Sequence, residues 1–231
     1  LNCTSLSSAS VPTNVTSVGL VPFTGTNIKE AIIVNYGRTL CYVPNSVTSY
    51  TIPDTVTEII SAFEGCINLT SVTIPDSVTK IGDYAFANCT SLTSITIPAS
   101  VTSVGMGAFN GSGIEKPVFI NNNKILCYVP GDYKSYTVPS TVKEITSGAF
   151  SYCQDLVSLT IPESVTSIGD YAFANCGSLK TVKIPNSVTS IGKYLFLDCT
   201  SLSSVTLSNK LTVIPEGTFT YCEELASINL P

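Results

Sequence analysis

Short stretches of this chain alternate apolar and polar residues. In Leu69-Thr-Ser-Val-Thr-Ile74, Val72 and Ile74 are flanked by polar side chains, the period of a half-buried β-strand. Pro75 closes the stretch, because proline has no N–H to give to a sheet ladder. Asp76-Ser77 reads as a turn, and Val78-Thr-Lys-Ile81 as a second short extended piece with Val and Ile inward. Gly82 is expected to permit a sharp bend. The following Asp83-Tyr-Ala-Phe-Ala-Asn-Cys89 has room for one or two helical turns, with Asp83 as N-cap. Phe86 and Cys89, three apart, would share the inward face.

The whole phrase recurs. Its phenylalanine marks the period at Phe63, Phe86 and Phe109, then at Phe150, Phe173, Phe196 and Phe219, with 23 residues between neighbours in each run. A repeat of that length implies a solenoid, since one such unit cannot bury its apolar face alone. The strand segment returns at Leu92, Leu156, Leu179, Leu202 and Leu225, so stacked coils should build a parallel sheet. Two longer coils, 28–68 and 114–155, carry Ile32-Ile-Val-Asn-Tyr-Gly-Arg-Thr-Leu-Cys-Tyr-Val-Pro44 and Val118-Phe-Ile-Asn-Asn-Asn-Lys-Ile-Leu-Cys-Tyr-Val-Pro130. Two apolar runs around an Asn- or Gly-containing turn signal a β-hairpin. Tyr42 and Tyr128 lie 86 residues apart, so a second-order duplication joins each hairpin coil to two standard coils. The expected organisation is one solenoid domain over 1–231 with about eight coils. Both ends fall inside the repeat pattern, as in a segment of a longer protein.

Composition narrows the function. Charged residues make up only 12% of the chain and the net charge is −5, which argues against nucleic acid, whose binding needs clustered Lys and Arg. No apolar run approaches the roughly 18 residues of a membrane span, so no membrane insertion by this segment is expected. Six of the nine cysteines (Cys66, Cys89, Cys153, Cys176, Cys199 and Cys222) lie three residues after a repeat phenylalanine. Stacking places them in one column about 5 Å apart, with side chains in parallel, which suits disulfide torsion poorly. They are expected to be buried free thiols packing as small apolar groups. With no histidine and no CxxC pair, a tetrahedral zinc site is not expected.

The chain has no GxGxxG or P-loop spacing, and its carboxylates are scattered. A Ser or Cys nucleophile would lack its usual base. No enzyme activity and no cofactor are therefore expected. Asp54, Asp76 and Glu163 occur singly after the proline and read as solvated turn residues. The sequons at Asn2, Asn14, Asn68, Asn88 and Asn110 matter only in a eukaryotic secretory pathway, and Asn88 is expected to serve the coil corner.

Two surfaces remain as binding candidates. The exposed strand face would present one row at Ser71, Ser94, Ser158, Thr181, Ser204 and Ser227, and another at Thr73, Thr96, Thr160, Lys183, Thr206 and Asn229. Such rows could hold an extended peptide or glycan by many weak hydrogen bonds; they are also what exposed strand positions ordinarily favour. The hairpins supply Tyr36, Tyr42, Tyr128 and Tyr133, suited to recognition by their polar tip, with packing on the adjoining coil as the alternative for Tyr42 and Tyr128.

The consensus LxSVxIPxSVTxIGxYAFxNCxS resembles the BspA-like, or Treponema pallidum-type, class of leucine-rich repeats over nearly the whole chain. Departures are local: Pro22 precedes Phe23, Ser112 replaces the column cysteine, and the coil of Phe63 lacks the glycine. The resemblance implies a right-handed superhelix. A parallel β-sheet would line one face, with short extended segments and helical turns on the other and two inserted hairpins. It also implies an extracellular protein, cell-surface or secreted and usually bacterial, in adhesion or host interaction. Its partner would be an extracellular protein or glycan of a host or a neighbouring microbe. A structural spacer displaying other domains is the competing reading.

Overall fold

The computed structural model describes residues 3–12, 14–19, 22–23 and 25–229. The chain divides into two compact units, Leu1–Glu115 and Lys116–Pro231. Each is a β-solenoid built from two ladders of very short strands.

In the first unit, Ser49–Thr51 pairs in parallel with Ser71–Thr73. The expected strand of the next coil, 94–96, is not a strand in the structure. A second ladder runs through Thr39–Tyr42, Glu58–Ile59, Lys80–Ile81 and Ser103–Val104, all parallel. The hairpin strand Ile32–Val34 closes its edge in antiparallel pairing with Thr39–Tyr42. The second unit repeats the plan with a longer face. Ser135–Thr137, Ser158–Thr160, Thr181–Lys183, Ser204–Thr206 and Ser227–Asn229 form a five-stranded parallel sheet. Ile125–Tyr128, Glu144–Ile145, Ser167–Ile168 and Ser190–Ile191 form the other ladder, with Val118–Ile120 antiparallel at its edge. Both hairpins are thus present, and each joins the Val-Thr-x-Ile ladder.

Polar side chains knit the coils. The threonine of Val-Thr-x-Ile sends both its N–H and its hydroxyl to one carbonyl of the preceding coil: Thr79 and Thr102 to Thr57 and Thr79, Thr166 and Thr189 to Lys143 and Thr166. Such pairing satisfies backbone groups that a two-residue strand leaves open.

The interior is a phenylalanine stack. Phe86 is fully buried between Phe63, with ring centroids 4.9 Å apart, and Phe109, at 5.8 Å. Phe173 sits likewise between Phe150 and Phe196, at 5.3 and 5.4 Å. Cys66, Cys89, Cys153, Cys176 and Cys199 are buried and Cys222 half-buried, all as free thiols. Their S–H groups have a specific use beyond packing. Cys89, Cys176, Cys199 and Cys222 donate to the carbonyls of Phe63, Phe150, Phe173 and Phe196, one coil back, at 3.1–3.2 Å.

The helical turns expected after the glycine are absent: no helix occurs among the described residues. Two left-handed residues flank each phenylalanine, one at two positions before it and one at two positions after. Before it stand Ser61, Tyr84 and Gly107 in the first unit and Gly148, Tyr171, Tyr194 and Gly217 in the second. After it stand Gly65, Asn88 and Gly111, then Tyr152, Asn175, Asp198 and Tyr221. Left-handed residues this close break a right-handed helix and turn the segment into a chain of tight turns. Asn88, with φ of 58°, does serve the coil corner. Asp83 is therefore not a helix cap. Its carboxylate accepts the N–H of Met106 in the next coil at 2.8 Å, and Asp170 does the same for Lys193 at 2.7 Å.

Gly82 also has a different reason from the expected bend. A Cβ there would sit 2.9 Å from the Ile59 carbonyl oxygen. At Gly105 it would sit 2.5 Å from the Asp83 nitrogen and 2.6 Å from the Gly82 carbonyl carbon. The glycine column lets one coil lie directly on the previous one.

Candidate functional site

The strand face of the second unit gathers most of the predicted rows. Val182 and Val205 point inward and are buried, which sends the residues on either side of each outward. Ser135, Ser158, Thr181, Ser204 and Ser227 come into register as one row, while Thr137 pairs with Thr160, and Lys183 with Thr206. Ser158, Thr160, Thr181, Lys183 and Ser227 are exposed, and Ser204 and Thr206 are half-buried. Asn229 pairs with Thr206 through the backbone; its side chain lies outside the described residues. In the first unit Ser71 and Thr73 are exposed beside Ser49 and Thr51. Ser94 and Thr96 are exposed too, but no ladder holds them.

Tyr42 and Tyr128 are not on a surface. Each is only 6% exposed, because its strand is flanked by its own hairpin partner on one side and the next coil on the other. The Tyr42 hydroxyl donates to the Ile28 carbonyl at 3.2 Å and its ring packs edge-on against Phe23. Both belong to the core. Tyr133 is half-buried, packed edge-on against Tyr136, whereas Tyr36, at the hairpin tip, is exposed with φ of 54°.

Glu163 acts within the fold: its carboxylate accepts the N–H of Ser187 in the next turn at 3.2 Å. Among the described residues no three His, Cys, Asp or Glu side chains are grouped to hold a metal ion. The sequon at Asn2 lies outside the described residues.

Two groups of side chains escaped sequence reasoning. The first lies along the tyrosines two before phenylalanine. Tyr171 and Tyr194 stack with centroids 4.9 Å apart and planes within 12°. The Tyr194 hydroxyl donates to Glu216 Oε1 at 2.8 Å, and Lys193 Nζ pairs with Oε2 at 3.1 Å. The tyrosine hydroxyl first, and the lysine after it, hold the Glu216 carboxyl below its ordinary range. Gly217 lies against the Tyr194 ring, as Gly107 does against that of Tyr84. Ring packing thus offsets the cost of a bulky left-handed residue, about 1–2 kcal/mol.

The second group lies two after phenylalanine, where Tyr152 and Tyr221 are 59% and 68% exposed. Between them in coil order come Asn175 and Asp198, and these border an open cleft with Gln154, Asp155, Ser178 and Thr200. The signal was available: tyrosine stands in a column otherwise filled by Gly, Asn and Asp.

A family model for the BspA type leucine rich repeat region matches residues 1–42, 35–129 and 125–231. Among solved structures, a leucine-rich repeat protein from Eubacterium ventriosum shares 28% identity over 87% of this chain and 66% of its own, with a TM-score of 0.60. A leucine rich cell surface protein from Faecalibacterium prausnitzii shares 28% over 80% of this chain and 60% of its own, at 0.55. The pneumococcal vaccine antigen PcpA, 22% identical over 90% of this chain and 58% of its own, shares the fold at 0.53. The chain therefore spans less than two thirds of the length of each of these proteins. No curated protein matches it. No helix among the described residues is long and apolar enough to cross a membrane. With the repeat model matched from residue 1 to residue 231, the chain belongs to the BspA-type leucine-rich repeat family.

Proposed function

We propose that this chain is a non-catalytic recognition module of a cell-surface or secreted protein, acting in adhesion or host interaction. Its strand face would bind an extracellular protein or glycan of a host or neighbouring microbe. The observation that carries the reading is the five-stranded parallel sheet of the second unit. It holds Ser158, Thr181 and Ser204 in one registered polar row, with Lys183 paired to Thr206 and Thr160 paired to Thr137 beside it. A rigid row of hydroxyls spaced by about 4.8 Å per coil presents donors and acceptors at a fixed interval, which an extended ligand can meet repeatedly. Ser71, Thr73, Ser94 and Thr96 would extend the same chemistry in the first unit. The similarity to a bacterial cell surface protein supports the location.

The same rows are chemically uniform, which favours the competing reading of a stiff spacer. The two separate in a binding assay with the purified chain against matrix proteins, glycans and whole cells. Recognition predicts saturable binding that Thr181→Glu and Lys183→Glu together weaken about tenfold or more, or about 1.4 kcal/mol. A failure to bind any of these surfaces, with the fold intact, would leave the spacer.

A further inference from the structure

We infer that the outer corner of the second unit is a binding site for neutral oligosaccharide. Tyr152 and Tyr221 would serve as stacking platforms, with Asn175 and Asp198 as the hydrogen-bonding groups between them. The four residues occupy one position in four successive coils. The N–H groups of Tyr152, Asn175 and Asp198 bond in turn to the carbonyls of Ala174, Leu197 and Thr220. The backbone is thereby committed to the stack, with Tyr152, Asp198 and Tyr221 exposed and Asn175 half-buried.

Three features point to sugar. First, both tyrosines adopt left-handed backbone, with φ of 65° and 58°. The buried side of the fold does not call for them there, since they are largely exposed. At the other corners beside the repeat phenylalanines such strain is relieved by ring packing, as at Tyr171 and Tyr194, or avoided by glycine, as at Gly65 and Gly111. Tyr36, at a hairpin tip, is the other exposed left-handed tyrosine among the described residues. Strain kept without packing is a mark of function. Second, the cleft beside the row is lined by Gln154, Asp155, Asn175, Ser178, Asp198 and Thr200. Amides, hydroxyls and carboxylates are the groups that match an array of sugar hydroxyls, while the flat apolar ring face suits the C–H face of a pyranose. Third, two carboxylates with no ion pair among the described residues oppose an anionic ligand.

Three coil steps separate the tyrosines, roughly 14 Å at the strand spacing, so the ligand would be a chain of several sugars. The corresponding positions of the first unit are Gly65, Asn88 and Gly111; the aromatic platform is particular to the second. The site is separate from the strand face and does not depend on its role.

Calorimetric titration of the full chain tests this with cellohexaose, maltohexaose, laminarihexaose and chitohexaose, alongside a heparin hexasaccharide and calcium chloride alone. We expect saturable binding of at least one neutral hexasaccharide. Binding should weaken about tenfold or more in Tyr152→Gly/Tyr221→Gly and in Asp198→Gly, and should persist in Thr181→Glu on the strand face. Glycine adopts left-handed backbone freely, so thermal unfolding of the double variant should stay level or rise, which separates lost binding from lost fold. The inference is overturned if no neutral hexasaccharide binds at up to about 10 mM, weaker than ordinary single-site recognition. It is equally overturned if binding survives the double variant, if heparin is preferred, or if calcium alone occupies the cleft.

Discussion

Gly105→Ala isolates the force that sets the distance between coils. The new Cβ would lie 2.5 Å from the Asp83 nitrogen and 2.6 Å from the Gly82 carbonyl carbon. Carbon contacts relax to about 3.5–4.0 Å, so the two coils must part by about 1 Å at that point. The N–H of Gly105 bonds to the Ile81 carbonyl at 2.8 Å, and a displacement of that size takes the bond beyond useful range. Overpacking costs about 1–3 kcal/mol, and the weakened hydrogen bond adds about 0.5–1.5 kcal/mol. Reduced unfolded-state freedom returns only about 0.4–1 kcal/mol. The net loss spans about 0.5–4 kcal/mol, and its centre of about 2 kcal/mol is roughly 4–8 °C in thermal midpoint for a chain of this size. Gly177→Ala is the control, because its Cβ would meet only Thr200 Oγ1 at an ordinary 3.6 Å. Differential scanning calorimetry on both variants decides. Equal midpoints would show that the glycine column is not held by close approach, and the bend first expected from the sequence would return.

Removing one ring from the aromatic column, Phe86→Ala, should cost about 3–5 kcal/mol. Hydrogen exchange should show the amides of Phe63 and Phe86, bonded to the next coil through Ala85 and Ala108, losing protection together. A loss under about 1 kcal/mol, or one confined to residue 86, would refute the stacked core. The buried thiols should resist a water-soluble disulfide reagent in the native state, unlike exposed Cys3 and half-buried Cys222, until the chain unfolds; fast reaction of Cys89 or Cys176 would contradict their burial. Desolvation by burial pushes Cys66, Cys89, Cys127, Cys153 and Cys222 from 9.0 up to about 12. The folded chain therefore holds protons that the unfolded chain releases, so their stabilising effect is complete below pH 9. It declines as pH rises from about 9 to 12. Urea denaturation across that range checks the sign, and a stability that rises with pH in this window would be inconsistent with it.

The parts of this molecule that were legible in its sequence are those where a residue's own preference and its neighbours' demands agree. Val72 and Ile74, or Val78 and Ile81, alternate with polar residues because a two- or three-residue strand must bury one face by itself, so a single repeat suffices to read them. The corners obey another logic. Tyr84 prefers no left-handed backbone, and within Asp83-Tyr-Ala-Phe-Ala-Asn88 nothing forbids a helical turn. The conformation is imposed by inter-coil hydrogen bonds from Tyr84 to Met106, Phe86 to Ala108 and Asn88 to Asn110. Only reading down columns shows this: Ser61, Tyr84 and Gly107 in one, Gly65, Asn88 and Gly111 in the other, with glycine, serine and asparagine betraying the left-handed turn. The glycines yield to the same reading. Gly82, Gly105, Gly169 and Gly192 each lie against the segment after a Val-Thr-x-Ile strand or its equivalent, whereas Ile60 and Thr146 follow the two strands, Glu58–Ile59 and Glu144–Ile145, that pair with the hairpin strands Thr39–Tyr42 and Ile125–Tyr128. Rows along the chain report what one coil needs to fold, and columns across it report what the stack needs to close. Exposed Tyr152 and Tyr221 suit neither, and the inferred oligosaccharide site rests on them for that reason.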